Sequence, residues 1–317
     1  MARRKGLSVN GWLVFDKPAG MTSTQAVSRV KRLYQAAKAG HAGTLDPLAT
    51  GVLPIAFGEA TKTVPFAVEG SKEYRFTVRF GTETDTDDAE GKAIAQSDRR
   101  PSGAEIEARL PDFTGDIEQV PPRYSALKVD GARAYDLARG EEEFELAPRR
   151  VSIAWIRFGG HPDKDRAVLE ARCGKGTYVR ALARDLGRAL QCYGHVEALR
   201  RTKVGAFGED SGVTLARLEA LAERGHDALV AALQPVETAL ADIPALAVSG
   251  PDADRLRRGQ AVLLRGRDAP VVEGTVYATS RGTLIALGEV ERGELHPKRI
   301  FNLPMRGSVI PAKAGIQ

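Results

Sequence analysis

Cysteine is scarce in this chain. There are two in 317 residues, Cys173 and Cys192, far apart and in no CxxC pair. A disulfide framework and a cysteine zinc site are thereby excluded, and a reducing compartment, the cytoplasm, is the expectation. No apolar run approaches the length of a membrane span, so no membrane partner is expected. The opening Met1-Ala2-Arg3-Arg4-Lys5-Gly6 is charged, but no apolar h-region follows, so it does not read as a signal peptide. No repeat of fixed period is found. The acidic stretch Thr82–Gly91 lacks the spaced ligands and terminal Glu of a calcium loop and reads as a solvated turn. No other cluster of metal-ligand spacing occurs. One absence is local: between Lys17 and Gly58 the only acidic residue is Asp46.

What is present suits a globular chain with one large domain and a small one. Hydrophobic residues make up 43% and charged residues 27%, enough apolar material for a sizeable core. Net charge is +5, unevenly placed. Residues 1–45 hold eight basic residues (Arg3, Arg4, Lys5, Lys17, Arg29, Lys31, Arg32 and Lys38) against Asp16, a net of +7, and the remainder sums to −2. Positive charge gathered beside Asp46 suggests a polyanionic partner, although a merely solvated basic surface has the same composition.

Periodicity gives a mixed pattern. Trp12–Phe15 and Gly51–Phe57 read as buried strands, and Lys72–Phe80 alternates, with Tyr74, Phe76, Val78 and Phe80 on one face. Val151, Ile153 and Trp155 alternate likewise, and Ala167–Cys173 and Glu197–Lys203 read as further strands. Thr22 or Ser23 can cap a helix carrying Val27, Val30 and Tyr34. Ser102-Gly103-Ala104-Glu105 is a capping box. Helices are expected over Glu59–Val68, weakened by Pro65, and over Gly131–Arg139, Leu215–Ala222 and Asp252–Arg258. Thr177 is placed to cap a helix whose apolar stripe is Val179, Leu182, Ala183, Leu186 and Leu190. A second stripe, Arg180, Arg184 and Arg188, reads as a solvated face or a phosphate-binding ridge. Ala241–Pro244 reads as a linker. Short strands follow near Ala261–Arg265, Thr275–Thr279 and Thr283–Leu287.

The stretch that organises the chain is Gly40-His41-Ala42-Gly43-Thr44-Leu45-Asp46-Pro47-Leu48-Ala49-Thr50-Gly51-Val52-Leu53-Pro54. Its glycines and prolines are too dense for a helix or a strand, so it reads as a loop. Its leucines and valine require cover. Pro47 restricts Asp46 to extended backbone, so the carboxylate is aimed by local geometry. An Asp before Pro is ordinarily a turn residue bonding its own backbone. The whole string, however, resembles the catalytic-loop signature of the tRNA pseudouridine-55 synthases, the TruB family. Asp16–Ser23, Lys72–Tyr74, Gly174–Gly187 and Leu199 resemble the same family.

The resemblance implies an α+β pseudouridine-synthase fold: a mixed, mainly antiparallel central sheet flanked by helices over residues 1–242. A small β-rich, PUA-like RNA-binding domain would follow over 243–304, then a loose tail over 305–317. It implies isomerisation of the uridine at position 55, in the tRNA T loop, to pseudouridine by base flipping, with no cofactor and no metal. Asp46 matches the family's essential aspartate and Arg180 the arginine that pairs with it. His41, Tyr74, Tyr178 and Leu199 match substrate-binding positions, His41 beside the flipped nucleotide and Tyr74 packed on the target base. The partner implied is tRNA through its T stem-loop; no protein partner is implied, and a monomer is expected. Two other readings stand beside this one: an RNA chaperone on the same scaffold, alone or alongside catalysis, and an aspartate-dependent glycosidase, which would need a second carboxylate beside Asp46.

Overall fold

The computed structural model describes residues 6–125, 127–129, 132–133, 144, 146–264 and 272–304. Its strands are β1 (Gly11–Lys17), β2 (Ala39–His41), β3 (Thr50–Phe57), β4 (Lys72–Phe80), β5 (Thr82–Thr84), β6 (Ala93–Gln96) and β7 (Gly115–Gln119). Next come β8 (Lys128–Val129), β9 (Ala132–Arg133), β10 (Arg149–Asp163), β11 (Arg166–Cys173), β12 (Gly194–Val204), β13 (Phe207–Gly208) and β14 (Val213–Thr214). The C-terminal part adds β15 (Ala245–Ala247), β16 (Val262–Leu263), β17 (Gly274–Ser280), β18 (Thr283–Glu291) and β19 (Glu294–Ile300).

The main sheet runs β14-β1-β3-β12-β4-β11-β10-β7, with β2 beside β3 and β13 beside β12. Its pairings are antiparallel except β1 with β14 and β12 with β3, so the fold is α+β with a mixed, mainly antiparallel sheet. One face is covered by the helices Ser23–Leu33, Val179–Ala189 and Leu215–Glu223, which bury Val30, Leu182, Leu186 and Leu218 against Phe15, Phe76, Val78 and Leu169. Burial at this scale contributes roughly 1.5–3 kcal/mol for each large side chain. A second sheet, β15-β17-β18-β19-β16, forms the C-terminal β-rich unit. It does not hang from a free linker. Leu284, Leu287 and Phe301 share one apolar cluster with Trp12, Val14, Phe207, Val236 and Leu240. Among the described residues no helix is long and apolar enough to cross a membrane.

Several local expectations are corrected. Glu59–Val68 is broken into a 3-10 turn, Gly58–Lys62, and a helix, Val64–Glu69, because Pro65 is tolerated only in a helix's first turn. Thr22 makes the capping box, with Gln25, while Ser23 is buried and used elsewhere. Thr177 is not a cap; the cap position is Tyr178, whose N–H donates to Gln119 Oε1 at 2.9 Å. A bulge between Ile153 and Trp155 shifts the phase of β10, so Ile156 is buried and Trp155 lies under Arg157. Where a helix was expected over Gly131–Arg139, Ala132–Arg133 pairs as a short strand with Lys128–Val129; the rest lies outside the described residues. So do Arg3, Arg4, Lys5, Arg265 and the tail 305–317.

The largest correction concerns charge. The acidic stretch is not solvated, since Glu83, Asp87 and Asp88 are all buried. Nor is the arginine stripe a free phosphate ridge or a wholly solvated face: Arg180 and Arg184 are buried, and Arg188, still half exposed, is paired. Arg184 contacts Asp87 at 2.9 Å, Arg188 contacts Glu83, and Arg180 Nη1 lies 3.5 Å from Asp88. The two segments neutralise each other along the helix Val179–Ala189. The basic N-terminal region is also thinner than its composition suggests: Lys17 is fully buried and Arg29 is paired with Glu219, leaving Arg32 and Lys38 exposed.

Candidate active site

The Asp46 stretch is a loop only over its middle, since residues 39–41 belong to β2 and residues 50–57 to β3. Between them the turn is tied down at each step. Leu45 is buried, and its N–H and C=O both bond Ser23 Oγ, at 2.8 and 3.1 Å. Ala49 N–H returns to Asp46 C=O at 3.1 Å. Pro47 C=O accepts from Gly20 N–H at 2.9 Å and from the Lys17 ammonium at 3.3 Å. Lys17 also donates to the carbonyls of Pro18 and Met21, so all three of its protons are used. Burial still pulls its pKa down, to about 8, with Asp46 opposing. The aspartate is thus carried on a rigid turn, and its own side chain keeps 38% of its surface open.

That side chain faces a cavity of about 310 Å³. Tyr74 from β4, Leu199 and Arg201 from β12, and Tyr178 and Arg180 at the start of the helix Val179–Ala189 line it together with Asp46. Among the described residues lining it, Asp46 is the only carboxylate, against Lys72, Lys175, Arg180 and Arg201. Arg180 Nε lies 2.9 Å from Asp46 Oδ2. The contact is one of charge rather than the two-pronged hydrogen bond that arginine geometry allows, because the Nε–H is not aligned on the carboxylate. The rest of the guanidinium is spent elsewhere, on Thr86 C=O and Tyr124 C=O, each at 2.9 Å. Arg180 therefore joins three segments far apart in sequence, and Asp46 keeps oxygen lone pairs free for a substrate.

The aromatic walls are consistent with a flat ligand. Burial raises the pKa of both Tyr74 and Tyr178, keeping the phenols neutral. Leu199 is buried and offers an apolar contact. His41 does not join the lining. It stands on β2, half-buried, with Nδ1 unpartnered, and burial followed by the charge of Arg201 lowers its pKa. Of the six residues singled out from the sequence, five meet at one cavity and His41 is not among its lining.

Sequence reasoning missed two cations here. Lys72 donates to Val68 C=O, and burial and Arg201 lower its pKa. Arg201 is 1% exposed and holds the loop itself. Alternation offered a signal for Arg201, because it lies two residues from Leu199 on one strand and so shares its face.

Comparison with known proteins identifies the family. Residues 31–179 match the model of the TruB family pseudouridylate synthase N-terminal domain. Residues 180–241 match that of the tRNA pseudouridylate synthase B C-terminal domain, which ends before the second sheet. The chain is 64% identical over 304 residues to tRNA pseudouridine synthase B of Bradyrhizobium diazoefficiens, covering 95% of this chain and 88% of that protein. It is 51% identical over 321 residues to tRNA pseudouridine synthase B of Brucella melitensis, covering 95% and 99%. Its fold resembles that in a Cbf5-Nop10-Gar1 complex, with a TM-score of 0.71 at 24% identity over 92% of this chain and 84% of that one. It also resembles that in an H/ACA RNP bound to a substrate RNA containing 2'-deoxyuridine, with 0.72 at 23% identity over 93% and 86%. With a synthase-like sheet and a cavity built around the Asp46 turn, the chain belongs to the TruB family, isomerases that convert a uridine of tRNA to pseudouridine.

Proposed function

We propose that the uridine isomerised is the one at position 55 in the T loop, that it is flipped out of the RNA into the cavity, and that Asp46 is the catalytic carboxylate. The observation that carries this reading is the solitary Asp46, held on a rigid turn at the cavity wall with Arg180 at 2.9 Å. A base inside a folded RNA loop exposes neither its glycosidic bond nor C5, so it must leave the stack first. Tyr74 supplies the aromatic face for the extruded ring, and Leu199 and Tyr178 enclose it. Detachment at N1 and reattachment through C5 change neither redox state nor phosphate content, so the reaction calls on position and charge rather than on a cofactor. Residues 243–304 extend the RNA-binding surface as a PUA-like unit. A glycosidase reading is disfavoured, because no second carboxylate lines the described cavity.

Tritium release from a C5-labelled uridine in a T-loop stem-loop tests the proposal. The wild-type chain should release the label, and Asp46→Asn should release none while binding the stem-loop within about threefold of wild type. Comparable product from Asp46→Asn would remove Asp46 from the chemistry. Release from a stem-loop lacking the T-loop uridine would refute the choice of position.

A further inference from the structure

We propose that Arg201 is a positioning residue for this reaction: its guanidinium clamps both flanks of the Asp46 turn. The inference rests on the reading of Asp46 as the catalytic carboxylate. Arg201 Nε donates to Val52 C=O at 2.8 Å, Nη1 to Thr44 C=O at 3.2 Å and Nη2 to Gly43 C=O at 3.1 Å. Gly43 and Thr44 enter the turn and Val52 leaves it, so one planar cation spans its mouth. Tyr74 and Arg201 line the same cavity.

The backbone is shaped for this contact. At Gly51 φ is +97°, and a Cβ there would lie 2.2 Å from the carbonyl oxygen of Arg201. Only glycine lets β12 approach β3 so closely, and that approach brings the guanidinium under the turn. Gly43, at φ +90°, takes a backbone conformation that favours glycine, which turns its carbonyl onto Nη2 at 3.1 Å.

The charge itself is poorly accommodated, which makes the arrangement informative. Arg201 is 1% exposed, and among the described residues no carboxylate lies within 4.0 Å of it. Burial accordingly pulls its pKa down. A buried cation with no carboxylate in contact is a costly way to fill space, and an apolar side chain would pack there without that cost. What the guanidinium adds is geometry: three carbonyls held at fixed separation by one rigid fork. A lysine carries the charge but gathers its donors at one atom, so it does not reproduce the flat fork that meets Val52 on one side of the turn and Gly43 and Thr44 on the other.

The test measures Arg201→Lys beside the wild type and Asp46→Asn, with single-turnover tritium release at saturating stem-loop, stem-loop Kd by anisotropy, and Tm by circular dichroism. Arg201→Lys should bind RNA within about threefold of wild type and lose about a hundredfold in kcat, the scale expected for a reacting group misplaced by about an ångström. Rates are read below the Tm and expressed per folded molecule. A kcat within threefold of wild type overturns the proposal, as does weakened binding with unchanged kcat. If Arg201→Lys does not fold, Gly43→Ala decides. Its Cβ would make only an ordinary 3.5 Å contact with Nη1, but φ +90° strains any residue that carries a Cβ, so the substitution shifts the Gly43 carbonyl that Nη2 binds. It should lose kcat at least tenfold with binding retained, and wild-type kcat in that variant overturns the proposal. An inactive wild type, or an active Asp46→Asn, would instead defeat the functional reading beneath it.

Discussion

Replacing Arg180 by lysine separates the charge at the active site from its geometry. The arginine side chain is 6% exposed and reaches Asp46, Asp88, Thr86 C=O and Tyr124 C=O through different edges of one plane. A lysine ammonium is a single point. It can stay near one or two of these groups, and at least two of the contacts lapse. Hydrogen bonds from a charged donor contribute about 1.5–3 kcal/mol each, so losing both carbonyl contacts should lower stability by roughly 2–4 kcal/mol after partial relaxation. The open side of Asp46 is screened by water, so its contact adds little to that figure. The effect on rate is larger in kind, because the cation facing Asp46 is no longer anchored by the Thr86 and Tyr124 carbonyls and shifts relative to the carboxylate. A displacement of about 1 Å at a reacting group costs on the order of a hundredfold. Arg180→Lys should therefore show about a hundredfold lower single-turnover rate at saturating stem-loop, with affinity changed less than tenfold. Urea unfolding should place its midpoint below wild type with an unchanged slope. Arg180→Met should be worse folded, by about 3–5 kcal/mol, because it strands Asp88 without a cation. A lysine variant that turns over within threefold of wild type would refute the argument that the planar fork matters.

Three further outcomes follow from the same structure. Asp87 is buried, and burial pushes its pKa up to about 6, with Arg184 and then Arg180 opposing and Glu83 and Asp185 reinforcing the rise. Its folded pKa lies above the ordinary 3.8, so the native state binds the extra proton. Wild-type stability relative to Asp87→Asn should rise as pH falls from about 6 to 4, by up to roughly 3 kcal/mol. A difference that shrinks over that window in paired urea titrations would show the opposite sign. For RNA binding, Arg32 and Lys38 are exposed, whereas Arg29 is paired and Lys17 buried. Reversing the charge at Arg32 and Lys38 should lower the log–log salt slope of stem-loop affinity by about two, and an unchanged slope would place the phosphate contacts elsewhere. A chain ending at Asp242 should retain single-turnover chemistry on its folded fraction but bind tRNA less well. It should also melt lower than the full chain, because it uncovers the apolar face around Trp12 and Leu240; equal Tm values would mean that the shared cluster contributes nothing.

Local features were legible in the chain. The alternation over β4 and the stripe Val179–Leu182–Leu186 are periodic signals that burial respects, and the Asp46 stretch carries enough glycine, proline and apolar residues to mark an unusual turn. Five of the six residues marked by the family motifs line one cavity, since a motif, unlike a distance, is written in the sequence itself. Tertiary structure decided what each charge meets. Nothing in Thr82–Gly91 or in the spacing of Arg180, Arg184 and Arg188 states that these segments neutralise each other, since a charged side chain reads the same whether it faces water or a buried partner. Arg201 shows the limit most clearly. In sequence it is the second arginine of a charged strand, and only the register that sets β12 beside β3, with Gly51 at their contact, carries it under the Asp46 turn.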